Sequence, residues 1–176
     1  HAFALATANS QSVYLFTRYQ IWRMENALPP GQLTDSGQDR LFVPKSAHTV
    51  GRLGIPDLAL DGAGKVVFVN PAFNCLARVD ERYNFAPLWQ PPFMPTQKRI
   101  TKGDCCHLSG MAARDGQITH VTAYAQTTEP DGWKKAIHAS GVLLDTTGQT
   151  EPVRGLTMPH APRWRNEELW LLNSGE

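Results

Sequence analysis

Residues 55–80, IPDLALDGAGKVVFVNPAFNCLARVD, contain three short segments with strand-like composition, separated by residues typical of turns. The central segment, VVFV at 66–69, is β-branched and aromatic, as β-strands prefer. A turn cluster, DGAG at 61–64, precedes it, and Asn70-Pro71 ends it. The stretch therefore predicts an antiparallel meander, which needs neighbouring sheets to bury its apolar faces.

The same strand–turn–strand pattern recurs along the chain at a nearly constant spacing. The second strand of each unit is predicted to begin at Val13, Val66, Ile118 and Leu169. The steps between these positions are 53, 52 and 51 residues. A repeat of this kind is typical of a β-propeller, whose blades repeat every 40–50 residues or so. We predict an all-β fold, a partial β-propeller with a repeat of about 52 residues. A β-sandwich with similar segments by chance is the alternative.

The repeat also predicts the domain organisation. The blade units are expected at residues 1–53, 54–105 and 106–157, with a truncated unit at 158–176. Propellers close with about 4–8 blades. We therefore expect one incomplete domain, a fragment of a six- or seven-bladed ring whose remaining blades are missing from this chain.

Composition narrows the classes of function and partner. The chain has 176 residues, of which 41% are hydrophobic and 19% charged, which predicts a packed core. A formal net charge of +1 gives no reason to expect nucleic acid or an anionic membrane as partner. No apolar run approaches the ~18 residues that span a bilayer. Three cysteines and the absence of a glycosylation sequon favour a reducing, cytoplasmic location.

Polar residues fall at equivalent points of successive units. Asp57, Ser109 and His160 are separated by 52 and 51 residues, and His107 lies beside Ser109. Equivalent positions of a cyclic array converge on its axis. Asp57, His107 and His160 could therefore hold a divalent metal, or act as general acid and base on a small substrate. Alternatively, each satisfies backbone groups at the mouth of the channel.

Two further segments carry candidate chemistry. DCCH at 104–107 contains metal-ligand residue types but no second ligand pair, so a packing role is favoured for at least one of its cysteines. In MPHAPRW at 158–164, two prolines are expected to hold His160 in a rigid turn. Arg163 could bind a carboxylate or phosphate on a ligand. A salt bridge, or stacking on Trp164, is the alternative for Arg163.

Several longer segments resemble one protein family. They are RYQIWR (18–23), DRLFVP (39–44), VN (69–70) with FNCLA (73–77), LWQPPF (88–93), CHL (106–108), DGW (131–133) and MPHAPRW (158–164). Together they resemble a mostly bacterial family of conserved hypothetical proteins, a domain of unknown function. The resemblance implies a propeller loosely related to gluconolactonase-like and NHL-type propellers. It also implies a protein about twice this length, with this chain as its N-terminal half.

The chain departs from the expected family pattern at one position. Pro56-Asp57 stands where a His-Asp pair is expected at the start of the blade. A site that requires a histidine at this position would lack it in this chain.

The residues predict a protein that binds a small ligand or a metal at the mouth of the central channel. The ligand-binding candidates are Asp57, His107, Ser109, His160 and Arg163. Two other functions stay open. One is a non-catalytic scaffold that offers a rigid face to a protein or glycan. The other is a metal-assisted, lactonase-like hydrolase that uses Asp57, His107 and His160.

Overall fold

The computed structural model describes residues 3–95 and 102–175, and its regular structure is almost entirely β. The strands are β1 (Ala4–Thr7), β2 (Ser12–Phe16), β3 (Gln20–Asn26), β4 (Phe42–Thr49), β5 (Leu58–Leu60), β6 (Val66–Asn70), β7 (Cys75–Arg78), β8 (Ala86–Trp89), β9 (Leu108–Arg114), β10 (Gln117–Ala123), β11 (Gly141–Asp145), β12 (Val153–Leu156), β13 (Pro159–Arg165) and β14 (Glu168–Asn173). Two short 3-10 helices cover Pro71–Phe73 and Gly132–Lys135. The described residues include no helix that is long and apolar enough to span a membrane.

The strands form sequential antiparallel sheets of four, four, four and two strands, in the order β1–β4, β5–β8, β9–β12 and β13–β14. The first strands of consecutive sheets contact one another, β1 with β5, β5 with β9, and β9 with β13. Each sheet is thus one blade, arranged with its first strand towards a common axis. The predicted all-β propeller architecture is confirmed. The second strands begin at Ser12, Val66, Gln117 and Glu168, within one residue of the predicted positions.

Strand β6 shows why the opening stretch organises the fold. All five of its residues are buried, because the second sheet is covered on both faces. Val66 and Phe68 pack into an apolar cluster shared with the first sheet, which includes Phe16. Val67 and Val69 point to the opposite face of the strand and pack into a second cluster. This arrangement explains the unbroken apolar run, since a strand buried on one face alone would alternate with polar residues.

The turns also join neighbouring sheets. The backbone N–H of Gly62, in the β5–β6 turn, donates a 2.7 Å hydrogen bond to the carbonyl of Gly116 in the β9–β10 turn. A Cβ atom on Gly116 would lie 2.5 Å from Cα of Gly62. Gly116 also has a φ of +75°, in the left-handed region that glycine adopts without steric cost. The turn cluster at 61–64 therefore contributes to packing between blades as well as reversing the chain.

One local expectation is wrong. Two prolines were expected to hold His160 in a rigid turn, whereas Pro159–Arg165 forms strand β13. Both prolines fit, because β13 carries an irregularity between His160 and Arg163, and prolines are tolerated at strand starts and bulges.

Replacing Gly110 in β9 by alanine should destabilise the contact between β9 and β13. The new Cβ would lie 2.7 Å from Cδ of Pro162 and 2.8 Å from the backbone nitrogen of Ala161. Overpacking of this kind costs about 1–3 kcal/mol, and we expect G110A to lower the free energy of unfolding in urea by that amount. G103A is the matched control, because among the described residues its Cβ would meet nothing closer than 3.7 Å. Equal stability of the two variants would contradict the close approach of these strands.

Candidate functional site

Asp57 is a buried carboxylate placed immediately before β5, and its side chain is only 6% exposed. Its Oδ1 accepts a hydrogen bond from the backbone N–H of Leu58 at 3.0 Å. Its Oδ2 accepts one from the backbone N–H of Met111 in β9, also at 3.0 Å. The carboxylate therefore joins the start of the second sheet to the first strand of the third, and these bonds offset part of the cost of its burial.

Arg163 in β13 completes the coordination of this carboxylate. Its Nη1 and Nη2 each donate to one oxygen of Asp57 at 2.8 Å, which makes the ion pair bidentate. Nη1 also lies 3.0 Å from the carbonyl oxygen of Met111 and 2.8 Å from that of Pro162. The salt-bridge alternative for Arg163 is thus realised. Among the described residues, the guanidinium that lies over the Trp164 ring is that of Arg114, at 4.9 Å from the ring centroid.

Arg163 keeps part of its hydrogen-bonding capacity. A guanidinium has five N–H donors, and the Nε–H and the second N–H of Nη2 have no partner among the described residues. These two donors lie on the same edge of the planar group and form a second fork. The Arg163 side chain as a whole is 53% exposed.

A bulge in β13 directs His160 and Arg163 to the same cavity. Residues three apart in a regular strand point to opposite faces. Here His160 pairs with Leu172 and Arg163 with Trp170, so β13 uses one residue more than β14 over this interval. Ala161 takes up the extra residue with a φ of +48°. The bulge restores an even offset between the two side chains.

His107 lies just before β9 and is held by Asp104 through two contacts. One carboxylate oxygen of Asp104 accepts the backbone N–H of His107 at 3.0 Å, and the other lies 2.6 Å from Nδ1 of the imidazole. The ring stacks on Trp133 with centroids 4.1 Å apart, and Tyr124 lies against it at 4.7 Å. Because Nδ1 and the ring face are occupied, Nε2 is the ring nitrogen left for a ligand.

Ser109 and His160 form bonds within the protein. The Ser109 hydroxyl donates to the carbonyl of Pro159 at 2.6 Å, and its oxygen lies 3.0 Å from Oγ1 of Thr122. Its only proton is therefore used to join the third sheet to the fourth. The Nδ1 of His160 lies 3.0 Å from the hydroxyl of Ser174.

The predicted ligand-binding residues surround one cavity of 230 Å³ at the starts of the first strands. Its lining includes Asp57, His107, Ser109, His160 and Arg163, together with Tyr124. Burial raises the pKa of the Tyr124 phenol, which keeps the group protonated and able to donate a hydrogen bond.

Asp57, His107 and His160, the residues predicted to hold a divalent metal, all line this cavity. Among residues 3–95 and 102–175, no group of three or more His, Cys, Asp or Glu side chains could hold a metal ion. Both oxygens of Asp57 are engaged by Arg163, and Nδ1 of His107 is engaged by Asp104. Asp57, His107 and His160 therefore share a cavity in which Asp57 and His107 are already paired with other side chains.

Cys75 and Cys106 are buried among apolar side chains. Burial raises the pKa of Cys75 to about 12 and also raises that of Cys106. Both side chains lie in the apolar clusters between sheets. Since the thiolate is the nucleophilic form, neither thiol is suited to nucleophilic chemistry.

Sequence reasoning considered Asp104 within DCCH at 104–107 but did not predict that it pairs with His107, and it missed the contacts of Tyr124 and Trp133 with that ring. An acidic residue three positions before a histidine is a local signal that could have identified Asp104. Tyr124 and Trp133 reach His107 through the fold, and nothing in their sequence neighbourhoods indicates that contact.

Comparisons with known proteins found one family and partly similar solved structures. The family model described as "Domain of unknown function (DUF4915)" matches residues 1–176. A streptogramin B lyase structure is 12% identical with a TM-score of 0.45, over 98% of this chain and 48% of that one. A selenomethionine-substituted virginiamycin B lyase from Staphylococcus aureus is 9% identical with a TM-score of 0.47, over 98% of this chain and 63% of that one. This chain thus spans less than two thirds of either solved protein. No curated protein matches it.

Replacing Arg163 by alanine should destabilise the protein. Among the described residues, Asp57 would then keep its two backbone donors. Leaving a buried carboxylate without its ion-pair partner lowers the free energy of unfolding. Because Arg163 is half exposed, water replaces part of the lost interaction, and we expect a loss of about 2 kcal/mol in urea unfolding. The control R165A removes an exposed arginine from the same strand and should change stability by less than about 0.5 kcal/mol. Equal effects of R163A and R165A would contradict the bridging role of Arg163.

Proposed function

The chain belongs to the DUF4915 family, and we propose that it binds a small organic molecule carrying a carboxylate or phosphate at the cavity beside Asp57. The observation that carries this proposal is the open N–H fork of Arg163 at the edge of that cavity. It is supported by the convergence of polar side chains from three consecutive sheets. Binding sites of this kind combine a concave surface with a few well-placed polar groups.

Arg163 is suited to anchor such an anion. The pair with Asp57 uses the outer end of the guanidinium and fixes its plane. The Nε–Nη2 edge then matches the spacing of two oxygens on a carboxylate or phosphate. A hydrogen bond to a charged group contributes about 1.5–3 kcal/mol, and a fork that is already oriented loses little side-chain entropy on binding.

The dimensions of the cavity favour a small ligand. Its volume of 230 Å³ lies below the roughly 300–1,000 Å³ of pockets that enclose drug-sized molecules. The phenol of Tyr124 and the imidazole of His107 provide further polar contacts on its wall. A compact organic acid or a phosphate-bearing metabolite is the class of ligand that fits.

A non-catalytic scaffold is the second candidate. Trp170 and Leu172 of β14 are 60% and 56% exposed, and they share one face because alternate residues of a strand point the same way. Such a pair could contact a protein or glycan. The metal-assisted, lactonase-like hydrolase has less support, because Asp57 and His107 are occupied by Arg163 and Asp104.

NMR titration with propionate and with inorganic phosphate tests the anion site. We expect saturable shifts centred on the Nε–Hε signal of Arg163. R163K keeps the positive charge beside Asp57 but lacks the fork, so affinity should fall about tenfold or more. R165K should bind like the wild type, because Arg165 is an exposed residue at the end of β13 and lies outside the cavity lining.

Two outcomes would overturn the proposal. One is that neither propionate nor phosphate binds saturably to the wild type. The other is an unchanged affinity in R163K, provided that the variant is folded. Loss of glycan or protein contacts on replacing Trp170, with no anion binding at all, would favour the scaffold instead.

A further inference from the structure

The Asp104–His107 pair is not part of the anion anchor, yet its imidazole lines the same cavity. The carboxylate of Asp104 contacts both the backbone N–H and the ring Nδ1 of His107. His107 itself has a φ of +52°, a conformation uncommon for a residue with a side chain. An unusual backbone conformation, two carboxylate contacts and a stacked ring together fix the direction of one imidazole edge.

The contact with Asp104 also fixes which ring nitrogen carries the proton. An ionised carboxylate accepts hydrogen bonds and cannot donate them. The Nδ1 of His107, 2.6 Å from Oδ2 of Asp104, must therefore carry a hydrogen. In the neutral ring this leaves Nε2 as a hydrogen-bond acceptor. Nε2 has no partner among the described residues, and the side chain is 28% exposed.

The cavity thus offers two complementary polar elements. Arg163 presents a fork of donors that binds an acidic group, and the neutral ring of His107 presents a single acceptor that binds a donor. We propose that the ligand is a small hydroxy acid, whose carboxylate occupies the Arg163 fork and whose hydroxyl donates to Nε2 of His107. This inference rests on the proposed function, because it requires the anion site at Arg163.

The charges around the cavity favour a hydroxyl over an ammonium group as the donor. A cationic amine would need a free carboxylate nearby to offset its desolvation. Asp57, the carboxylate in the cavity lining, is already paired with Arg163, and Asp104 is engaged by His107. A neutral hydroxyl needs only the acceptor that His107 provides. The site should therefore prefer a hydroxy acid to the corresponding amino acid.

Matched ligands that differ by one group test this preference. NMR titrations would compare propionate with lactate and alanine, and butyrate with 3-hydroxybutyrate, which places the hydroxyl one carbon further away. We expect at least one hydroxy acid to bind about fivefold or more tighter than its deoxy partner, as one additional hydrogen bond provides. Alanine should bind no tighter than propionate.

Two histidine variants assign the effect to Nε2. Asparagine tolerates the left-handed conformation, so H107N preserves the backbone while removing the ring. In H107N the hydroxy-acid preference should disappear, while propionate still binds. The control H138N replaces an exposed histidine outside the cavity lining and should retain the preference.

Asp104 acts as a positioning residue, and its variant has a spectroscopic readout. In D104N an NH2 donor replaces one of the two carboxylate oxygens that accept the N–H groups of His107. The ¹⁵N chemical shifts of the imidazole should then change from the values of a single tautomer to those of a mixture of tautomers. The preference for hydroxy acids should decrease in the same variant. A merely structural role for Asp104 would leave the tautomer of a folded variant unchanged.

The outcomes separate the two proposals. Equal affinities of both hydroxy acids and their deoxy partners in the wild type would overturn the hydroxy-acid inference and leave the anion site intact. Tighter binding of alanine than of lactate would overturn it too. Absence of binding by every acid would instead overturn the proposed function. A preference that persists in H107N would exclude His107 as its source.

Discussion

The buried carboxylate of Asp57 is the constraint around which the site is built. It lies at the start of β5 in the second sheet, takes a backbone N–H from the third sheet, and is paired with a guanidinium from the fourth. Removing a carboxylate from water is unfavourable unless its oxygens are well satisfied. The relative positions of three sheets are therefore tied to one residue, and a shift of any of them would leave a charge without its partner.

The same interaction links architecture to binding. Asp57 uses only one end of the Arg163 guanidinium, so the group is held in place while its other edge stays open. The bulge at Ala161 is needed for this arrangement, because without it His160 and Arg163 would point to opposite faces of β13. Gly110 is needed as well, since β13 approaches β9 too closely there to accommodate a side chain. Backbone packing at Ala161 and Gly110 thus decides where the donors of Arg163 lie.

Much of the fold could be predicted from local patterns. Turn residues and β-branched runs mark the second strands, and these fall at Ser12, Val66, Gln117 and Glu168, close to the predicted positions. Repeat spacing also indicated that Asp57, Ser109 and His160 lie at equivalent points, and all three line the same cavity. This was predictable because a cyclic repeat converts equal sequence spacing into spatial convergence.

The partners of these residues were not predictable in the same way. Asp57 and Arg163 are 106 positions apart, and their pairing depends on how consecutive blades stack. Ala161 gives no sequence signal of a bulge, since its left-handed conformation is imposed by packing rather than preferred by alanine. Repeat spacing identified residues that converge, but not their partners: Asp57 is paired with Arg163, and His107 with Asp104.

The most direct test of this account is a double-mutant cycle between Asp57 and Arg163. The free energy of unfolding would be measured for the wild type, D57N, R163M and the double variant. If the pair joins the sheets, the two substitutions should be non-additive, with a coupling energy of about 1.5 kcal/mol or more. A coupling energy below about 0.5 kcal/mol, the level seen for independent sites, would contradict the central role of this interaction.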